Sequence, residues 1–250
     1  FYFSISKAFR EPTRSDFESN SQIKPEELVD IELGWNYKLE RILINANWYY
    51  MKYKNQLVLT GEIDDVGAPV RENSGQSFRH GLEIESTLNM SNKITINANM
   101  SISENKNVNY LTSINGEIVN LGDTQISFSP KLVSSIGLRF NPINKLYLSF
   151  ITKHIGDQFM SNTDSDLSKL DSYTISYFNI VFKLKNTKLF NEVTISAIIN
   201  NLLNTKYVSN GYHYTYDDTW SSPDQVVTYE GVGYYPQATR NYLLGLTFKF

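Results

Sequence analysis

The chain has 250 residues, a formal net charge of −3 at pH 7 and no cysteine. These values exclude disulfide scaffolds, cysteine-ligated zinc sites and thiol nucleophiles, and without a basic surplus we expect no nucleic-acid partner. Aromatic residues reach 14%. No segment approaches the roughly 18 consecutive apolar residues of a membrane helix. This criterion does not detect membrane strands, because their residues alternate between apolar and polar.

Apolar and polar residues alternate with a period of two along most of the chain, which predicts strands with one apolar face. The pattern is unbroken from Lys93 to Ser103, where Ile94 and Ile96 alternate with Thr95 and Asn97. The predicted strands, about ten in number, cover residues 1–5, 29–37, 42–50, 82–90, 94–102, 126–140, 146–150, 178–184, 193–199 and 242–250.

The connections between these strands alternate in length. Four are tight turns: Leu39–Arg41, Met90–Lys93, Asn141–Lys145 and Lys185–Phe190. Five are long polar loops: Arg10–Lys24, Gly61–Ser77, Glu104–Asp123, Gly156–Asp171 and Ser209–Tyr235. Outer-membrane barrels have short turns at one end and long loops at the other. The sequence therefore predicts an all-β fold, a transmembrane antiparallel meander β-barrel.

Several segments resemble one known family. They are SKAFREPTRSDF (Ser6–Phe17), the Lys24–Glu26 and Ile31–Gly34 segments, NNLLNTKY (Asn200–Tyr207) and YPQATRNYLLGLTFKF (Tyr235–Phe250). In this order and spacing they resemble the barrel of TonB-dependent outer-membrane receptors. The segment Asn55–Arg71 looks like receptors from Bacteroidetes-type bacteria.

The resemblance implies a 22-stranded barrel in the bacterial outer membrane that encloses an N-terminal plug domain. It also implies energy-dependent import of a scarce small-molecule ligand, with the TonB complex acting through the plug. This sequence predicts about ten strands, contains no plug-like segment, and begins at Phe1 with no Met and no signal-peptide pattern. We therefore expect residues 1–250 to be the C-terminal portion of such a barrel. The strand that ends at Phe250 resembles the recognition signal of the barrel assembly machinery.

Candidate functional residues fall into two groups, and neither suggests catalysis, a metal site or a cofactor. Charged residues on the polar strand faces are expected to face the lumen and its plug: Glu32, Glu83, Glu85, Lys131 and Arg139. Aromatic residues of the last long loop are expected to bind the ligand, an iron-siderophore, haem, cobalamin or oligosaccharide: Tyr212, His213, Tyr214, Tyr216 and Trp220. The simpler alternative for this loop is that the rings pack on one another.

Loop carboxylates allow a further hypothesis, because oxygen ligands can bind a cation. The residues concerned are Asp64, Asp65, Asp217 and Asp218, and solvated loop charge is the simpler explanation for them. Two other function classes also stay open. One is a passive small β-barrel pore, which requires closure within these residues, and the other is a soluble β-rich adhesive module, which requires a second sheet against Ile42, Ile94 and Ile96.

Overall fold

The computed structural model describes residues 1–63, 69–185, 189–222 and 225–250. Within these ranges the chain is almost entirely antiparallel β-structure. The strands, in chain order, are β1 (Tyr2–Arg10), β2 (Glu26–Lys38), β3 (Ile42–Lys54), β4 (Leu57–Ile63), β5 (Pro69–Asn73), β6 (Gln76–Ser91), β7 (Ile94–Val108), β8 (Leu111–Ile114), β9 (Glu117–Asn120), β10 (Thr124–Gln125), β11 (Leu132–Ile143), β12 (Leu146–Ile155), β13 (Gln158–Phe159), β14 (Lys169–Leu170), β15 (Tyr173–Lys185), β16 (Glu192–Asn200), β17 (Val208–Asp218), β18 (Val227–Pro236) and β19 (Asn241–Lys249).

In the described part of the chain, helical structure is limited to short pieces between strands. Helix α1 spans Arg14–Ser19, and one 3-10 turn spans Asp166–Ser168. Among the described residues, no helix has the length and apolar character needed to cross a membrane.

The ten long strands form one curved meander in the order β1-β2-β3-β6-β7-β11-β12-β15-β16-β19, and β10 adds a short pairing to β7. This order confirms the predicted antiparallel meander. Over the described ranges, β1 pairs only with β2 and β19 pairs only with β16. The sheet therefore has two free edges and is open.

The pairing register gives the sheet two chemically distinct faces, because side chains directly opposite each other point the same way. The outer face carries rows such as Leu88, Ile96, Leu138 and Phe150. The inner face carries polar rows such as Asn45, Glu85, Asn99 and Ser135. The inner face is also the one that bears the cavities described below, so the polar side chains line the concavity.

Connection lengths are sorted between the two ends of the sheet, as predicted. One end, here called the turn end, carries the short links β2–β3, β6–β7, β11–β12 and β15–β16. The opposite end, the hairpin end, carries the long connections. These are not irregular loops, because four of them fold into the hairpins β4–β5, β8–β9, β13–β14 and β17–β18. The β8–β9 hairpin turns at Asn115 and Gly116, which have φ of 55° and 78°, the left-handed values that a two-residue turn requires.

One predicted strand was too long at its start. The alternation suggested a strand from residue 126, but β11 begins at Leu132. Phe128 has φ of 51°, outside the extended region, and its N–H donates to the carbonyl of Phe159, 2.7 Å away. The Ile126 side chain is buried, and its N–H donates to the carbonyl of Asn105, 3.2 Å away. Apolar spacing cannot distinguish a strand from a segment that folds inward and packs.

Candidate functional site

The inner face holds a polar cavity of about 460 Å³. Its lining includes Asn47, Glu83, Glu85 and Asn99, which the register places side by side on neighbouring strands. The hydroxyl of Tyr2 donates to Oδ1 of Asn47 across 2.9 Å. Amide and carboxylate groups thus form a continuous hydrophilic wall that can hydrogen-bond a polar surface or solute.

A second inner-face cavity of about 310 Å³ adjoins the first and shares Glu83 with it. Its lining adds Glu32 and Arg79, and the Arg79 guanidinium donates to the hydroxyl of Ser129, 2.8 Å away. The structure therefore brings the predicted inner-face residues Glu32, Glu83 and Glu85 together. Arg79 is the cation beside them that sequence analysis missed, although its alternation with Gly81 and Glu83 places it on the same face.

The two predicted cations do not join this acidic cluster. Lys131 directly precedes β11 at the hairpin end, where its carbonyl accepts a hydrogen bond from the N–H of Ser103. Arg139 lies near the turn end, opposite Thr95 and Ser149. The inner surface of β2, β3 and β6 is therefore predominantly acidic.

The hairpin β17–β18 carries a row of exposed aromatic rings on one face. Tyr212, Tyr214 and Tyr216 alternate along β17, and Trp220 follows at the tip. Successive ring centroids are 6.3, 6.5 and 6.2 Å apart, with interplanar angles of 23°, 19° and 8°. The exposed fraction rises from 38% for Tyr214 to 70% for Trp220. These four residues are called the aromatic platform below.

Glycines on the neighbouring strand explain why the rings lie flat. Tyr212 is paired with Gly233, and Tyr214 is paired with Gly231. A Cβ atom built on either glycine would come within 2.3 Å of the Cζ atom of the facing tyrosine. Each ring therefore occupies the space that a side chain on β18 would fill, and it covers the backbone of that strand.

His213 does not belong to the aromatic platform. Its side chain is only 1% exposed and lies on the opposite face of the hairpin, where Nε2 is 3.6 Å from Oε2 of Glu230. Period two made this separation visible in the sequence, because His213 stands between Tyr212 and Tyr214. The structure thus groups four of the five predicted aromatic-loop residues and sets the histidine apart.

The face that contains His213 is docked on neighbouring connections. Glu230 accepts a hydrogen bond of 2.5 Å from the hydroxyl of Ser165, and the hydroxyl of Tyr234 donates to the carbonyl of Leu167 across 2.9 Å. At the far end, Thr228 and Asn115 exchange two hydrogen bonds of 2.7 and 2.9 Å. The hairpin is thereby fixed from behind, and the aromatic platform points away from these contacts.

The acidic residues at the hairpin tip are engaged in internal hydrogen bonds. Asp217 accepts the hydroxyl of Thr228, and Oδ1 of Asp218 accepts the N–H groups of Trp220 and Ser221 at 3.1 and 3.0 Å. Hydrogen bonds from the Ser221 side chain and backbone lower the pKa of Asp218 below its ordinary value. Both carboxylates therefore position the tip.

Metal binding finds no support in this region. Where the structure describes the chain, no three His, Asp or Glu side chains are grouped so that they could hold a metal ion. Asp64 and Asp65, the other half of the cation hypothesis, lie outside the described residues.

Comparison with solved structures identifies the same fold in three transport proteins. The chain is similar to the siderophore receptor PiuA from Acinetobacter baumannii (18% identity, TM-score 0.66), the copper transporter OprC (15%, 0.71) and the unliganded ferric citrate transporter FecA (16%, 0.69). It aligns over 93%, 99% and 98% of its own length but covers only 30%, 37% and 35% of theirs. The chain thus spans about a third of these proteins. No curated protein sequence matches it.

The family model for the TonB dependent receptor-like β-barrel matches residues 1–202. This match covers most of the ten-stranded meander, and the structural neighbours share its architecture. The family is one of outer-membrane receptors and transporters. The chain belongs to the TonB-dependent receptor β-barrel family.

Proposed function

We propose that the protein imports a scarce ligand across the bacterial outer membrane in a TonB-dependent manner. The observation that carries this proposal is the two-faced meander: apolar rows on the outer face, polar rows on the inner face, and hairpins gathered at one end. Contact with lipid requires apolar side chains on the outer face, and a hydrated lumen accommodates polar side chains on the inner face. The ligand classes to test are iron-siderophores, haem, cobalamin and oligosaccharides.

The open sheet argues against the passive-pore alternative. A small pore made of these strands alone requires β1 to pair with β19, but across the described ranges these strands form the two free edges. The soluble-module alternative requires a second sheet over Ile96 and its neighbours, whereas Leu138, in the same row, is 41% exposed. Both features suit a segment of a larger barrel that lies in lipid.

The proposal includes contacts with a plug domain, the TonB complex and the barrel assembly machinery. The acidic inner wall of Glu32, Glu83 and Glu85 suits contact with a plug domain, through which the TonB complex acts. The last strand, which ends at Phe250, suits engagement by the barrel assembly machinery, and the Phe250 ring lies 5.1 Å from that of Phe190. We also propose that residues 1–250 are the C-terminal barrel portion and that the protein has no enzymatic activity.

The test is uptake in cells that carry the intact gene. A strain without the gene, and a complemented strain, are supplied with each radiolabelled ligand class in the presence and absence of a protonophore. We expect uptake of one class to need the gene, the proton gradient and TonB together. Uptake that continues at full rate without TonB would show passive diffusion instead.

A further inference from the structure

We propose that the aromatic platform of Tyr212, Tyr214, Tyr216 and Trp220 binds a neutral carbohydrate chain by stacking against its sugar rings. The inference rests on the proposed function only in placing the hairpin end on the cell surface. It goes further by selecting one ligand class, and the selection depends on the shape of the platform, its charge and its free hydroxyl groups.

Shape is the first argument. Because Tyr212 and Tyr214 each cover a glycine of β18, their rings are tiled side by side along the strand with their faces outward. The angle between Tyr216 and Trp220 is only 8°, so the tiling continues to the tip. A pyranose ring presents a flat patch of C–H groups, and a row of coplanar rings offers several such patches a rigid, large contact area.

Charge is the second argument, and it separates the ligand classes. Residues 208–236 contain the acidic residues Asp217, Asp218, Asp224 and Glu230 and contain no lysine or arginine. Catecholate, carboxylate and phosphate groups are bound by cationic side chains, and this hairpin supplies none. Asp217 and Glu230 lie on its docked face, and Asp218 lies at its tip. An uncharged ligand does not need a cationic partner. The platform therefore favours a neutral sugar chain over an anionic siderophore.

Hydrogen-bonding capacity is the third argument. Each tyrosine of the platform carries a phenolic hydroxyl, and in the described part of the structure no hydrogen bond is formed by the hydroxyls of Tyr212, Tyr214 or Tyr216. These groups both donate and accept. A line of them along the edge of the tiled rings matches the hydroxyl groups that border the apolar patch of a sugar.

Pre-organisation is the fourth argument. The docked face of the hairpin is tied to Ser165, Leu167 and Asn115 by the hydrogen bonds described above. The rings are also held by their glycine partners before any ligand arrives. Little conformational entropy then remains to be lost on binding, which raises the affinity of a shallow, open surface.

The experiment is a binding titration with the intact protein in detergent micelles. The probes are the neutral hexasaccharides cellohexaose, xylohexaose and maltohexaose, with hexagalacturonate as an anionic probe of equal length. Trp220 fluorescence and calorimetry report binding. We expect at least one neutral probe to bind and the anionic probe to bind at least about tenfold more weakly.

Variants connect the binding to the platform. Tyr214→Ala and Tyr216→Ala should each weaken binding by about tenfold, as aromatic anchors typically do. Tyr147→Ala, an exposed tyrosine at the turn end, is the matched control and should leave the affinity unchanged. Equal weakening by Tyr147→Ala, or preferential binding of hexagalacturonate, would overturn the proposal. Absence of binding by all three neutral probes would overturn it as well.

Access to the platform is tested separately on whole cells. The chain has no cysteine, so a Trp220→Cys substitution gives this segment a single thiol for a membrane-impermeant maleimide. We expect labelling, and protection by the neutral probe that binds. A thiol that resists labelling would show that another part of the protein covers the platform, which contradicts the inference. Binding without TonB-dependent uptake would instead refute the proposed import while leaving the carbohydrate platform intact.

Discussion

The ring of Tyr214 lies across the backbone of Gly231, so close that a Cβ atom on this glycine would sit 2.3 Å from Cζ of the ring. The two residues are direct partners on β17 and β18. Tyr212 and Gly233 repeat the arrangement two residues away. The shape of the exposed hairpin surface therefore depends on the two glycines, which leave space for the rings, as well as on the tyrosines.

Gly231→Ala should abolish the flat arrangement without unfolding the hairpin. The methyl group must displace the Tyr214 ring, but the ring is the end of a rotatable side chain, so the cost in folding free energy should stay within about 0.5 kcal/mol. We expect carbohydrate affinity to fall by about tenfold while the thermal midpoint stays unchanged. Gly137→Ala is the control, because its Cβ would meet no atom closer than 3.6 Å. Unchanged affinity in Gly231→Ala would show that ring tiling is irrelevant.

Ile96→Arg and Asn97→Arg should have very different costs, because adjacent residues of β7 face opposite sides of the sheet. Ile96 lies in the apolar outer row with Leu88 and Leu138, where arginine meets lipid and costs about 2–4 kcal/mol near the midplane. Asn97 faces the inner side, where Thr87 donates to its Oδ1 across 3.0 Å. Urea titration of the intact protein in lipid vesicles measures both. Equal costs would contradict the assignment of the faces.

Acidification should release α1 from the hairpin-end connections through Asp16. The buried Asp16 carboxylate accepts the backbone N–H of Thr13 across 2.7 Å, and it forms an ion pair with the Arg71 guanidinium, 3.2 Å away. Burial alone would raise its pKa, but the hydrogen bonds from Thr13 and the Arg71 guanidinium outweigh burial and lower the pKa below 3.8. Since the folded pKa is depressed, the stabilisation is fully present well above the ordinary pKa of an aspartate and is lost as pH falls through the folded pKa.

Hydrogen-exchange protection of residues 13–20, measured from neutral to acid pH, tests this prediction. Protection should fall at a pH below 3.8, and Asp16→Asn should remove that titration because the amide does not ionise in this range. Asp16→Ala should lower local stability at neutral pH by about 1 kcal/mol. A native-like acid transition in Asp16→Asn would assign the effect to another group.

Asp218→Ala should free Trp220 from the aromatic platform. The carboxylate accepts the N–H groups of Trp220 and Ser221, and this turn places the indole ring parallel to Tyr216. We expect a red shift of the Trp220 emission, obtained as the difference from Trp220→Phe. Thr219→Ala in the same turn is the comparison, since no described hydrogen bond of its side chain holds the tip. An identical spectrum for Asp218→Ala would show that ring stacking alone positions Trp220.

The sequence predicted the meander because lipid imposes its pattern directly on the chain. Ile94 and Ile96 face lipid while Thr95 and Asn97 face the hydrated lumen, so the environment of each residue determines whether that residue is apolar or polar. The same pattern failed at Phe128, whose backbone leaves the extended region and donates its N–H to the carbonyl of Phe159. It also missed the β8–β9 hairpin, although Asn115-Gly116 is a strong signal for a two-residue turn.

The candidate site was predictable only in part. The concentration of tyrosine in Ser209–Tyr235 was evident, and so was the family to which the flanking motifs belong. The flat platform was not, because it depends on the register that sets Tyr212 against Gly233 and Tyr214 against Gly231. A shift by one residue would move each ring off its glycine.

The sequence by itself determined which side of each strand meets lipid, because the period of two is a local property that every strand carries alone. Only the tertiary structure decided which polar residues meet across strands and which face of the last hairpin is left free. Glu32, Asn47 and Glu83 line one cavity, although they stand on three different strands. The His213 side chain is only 1% exposed and lies on the face of the hairpin that Ser165, Leu167 and Asn115 of other connections bind, whereas Tyr214 lies on the exposed face.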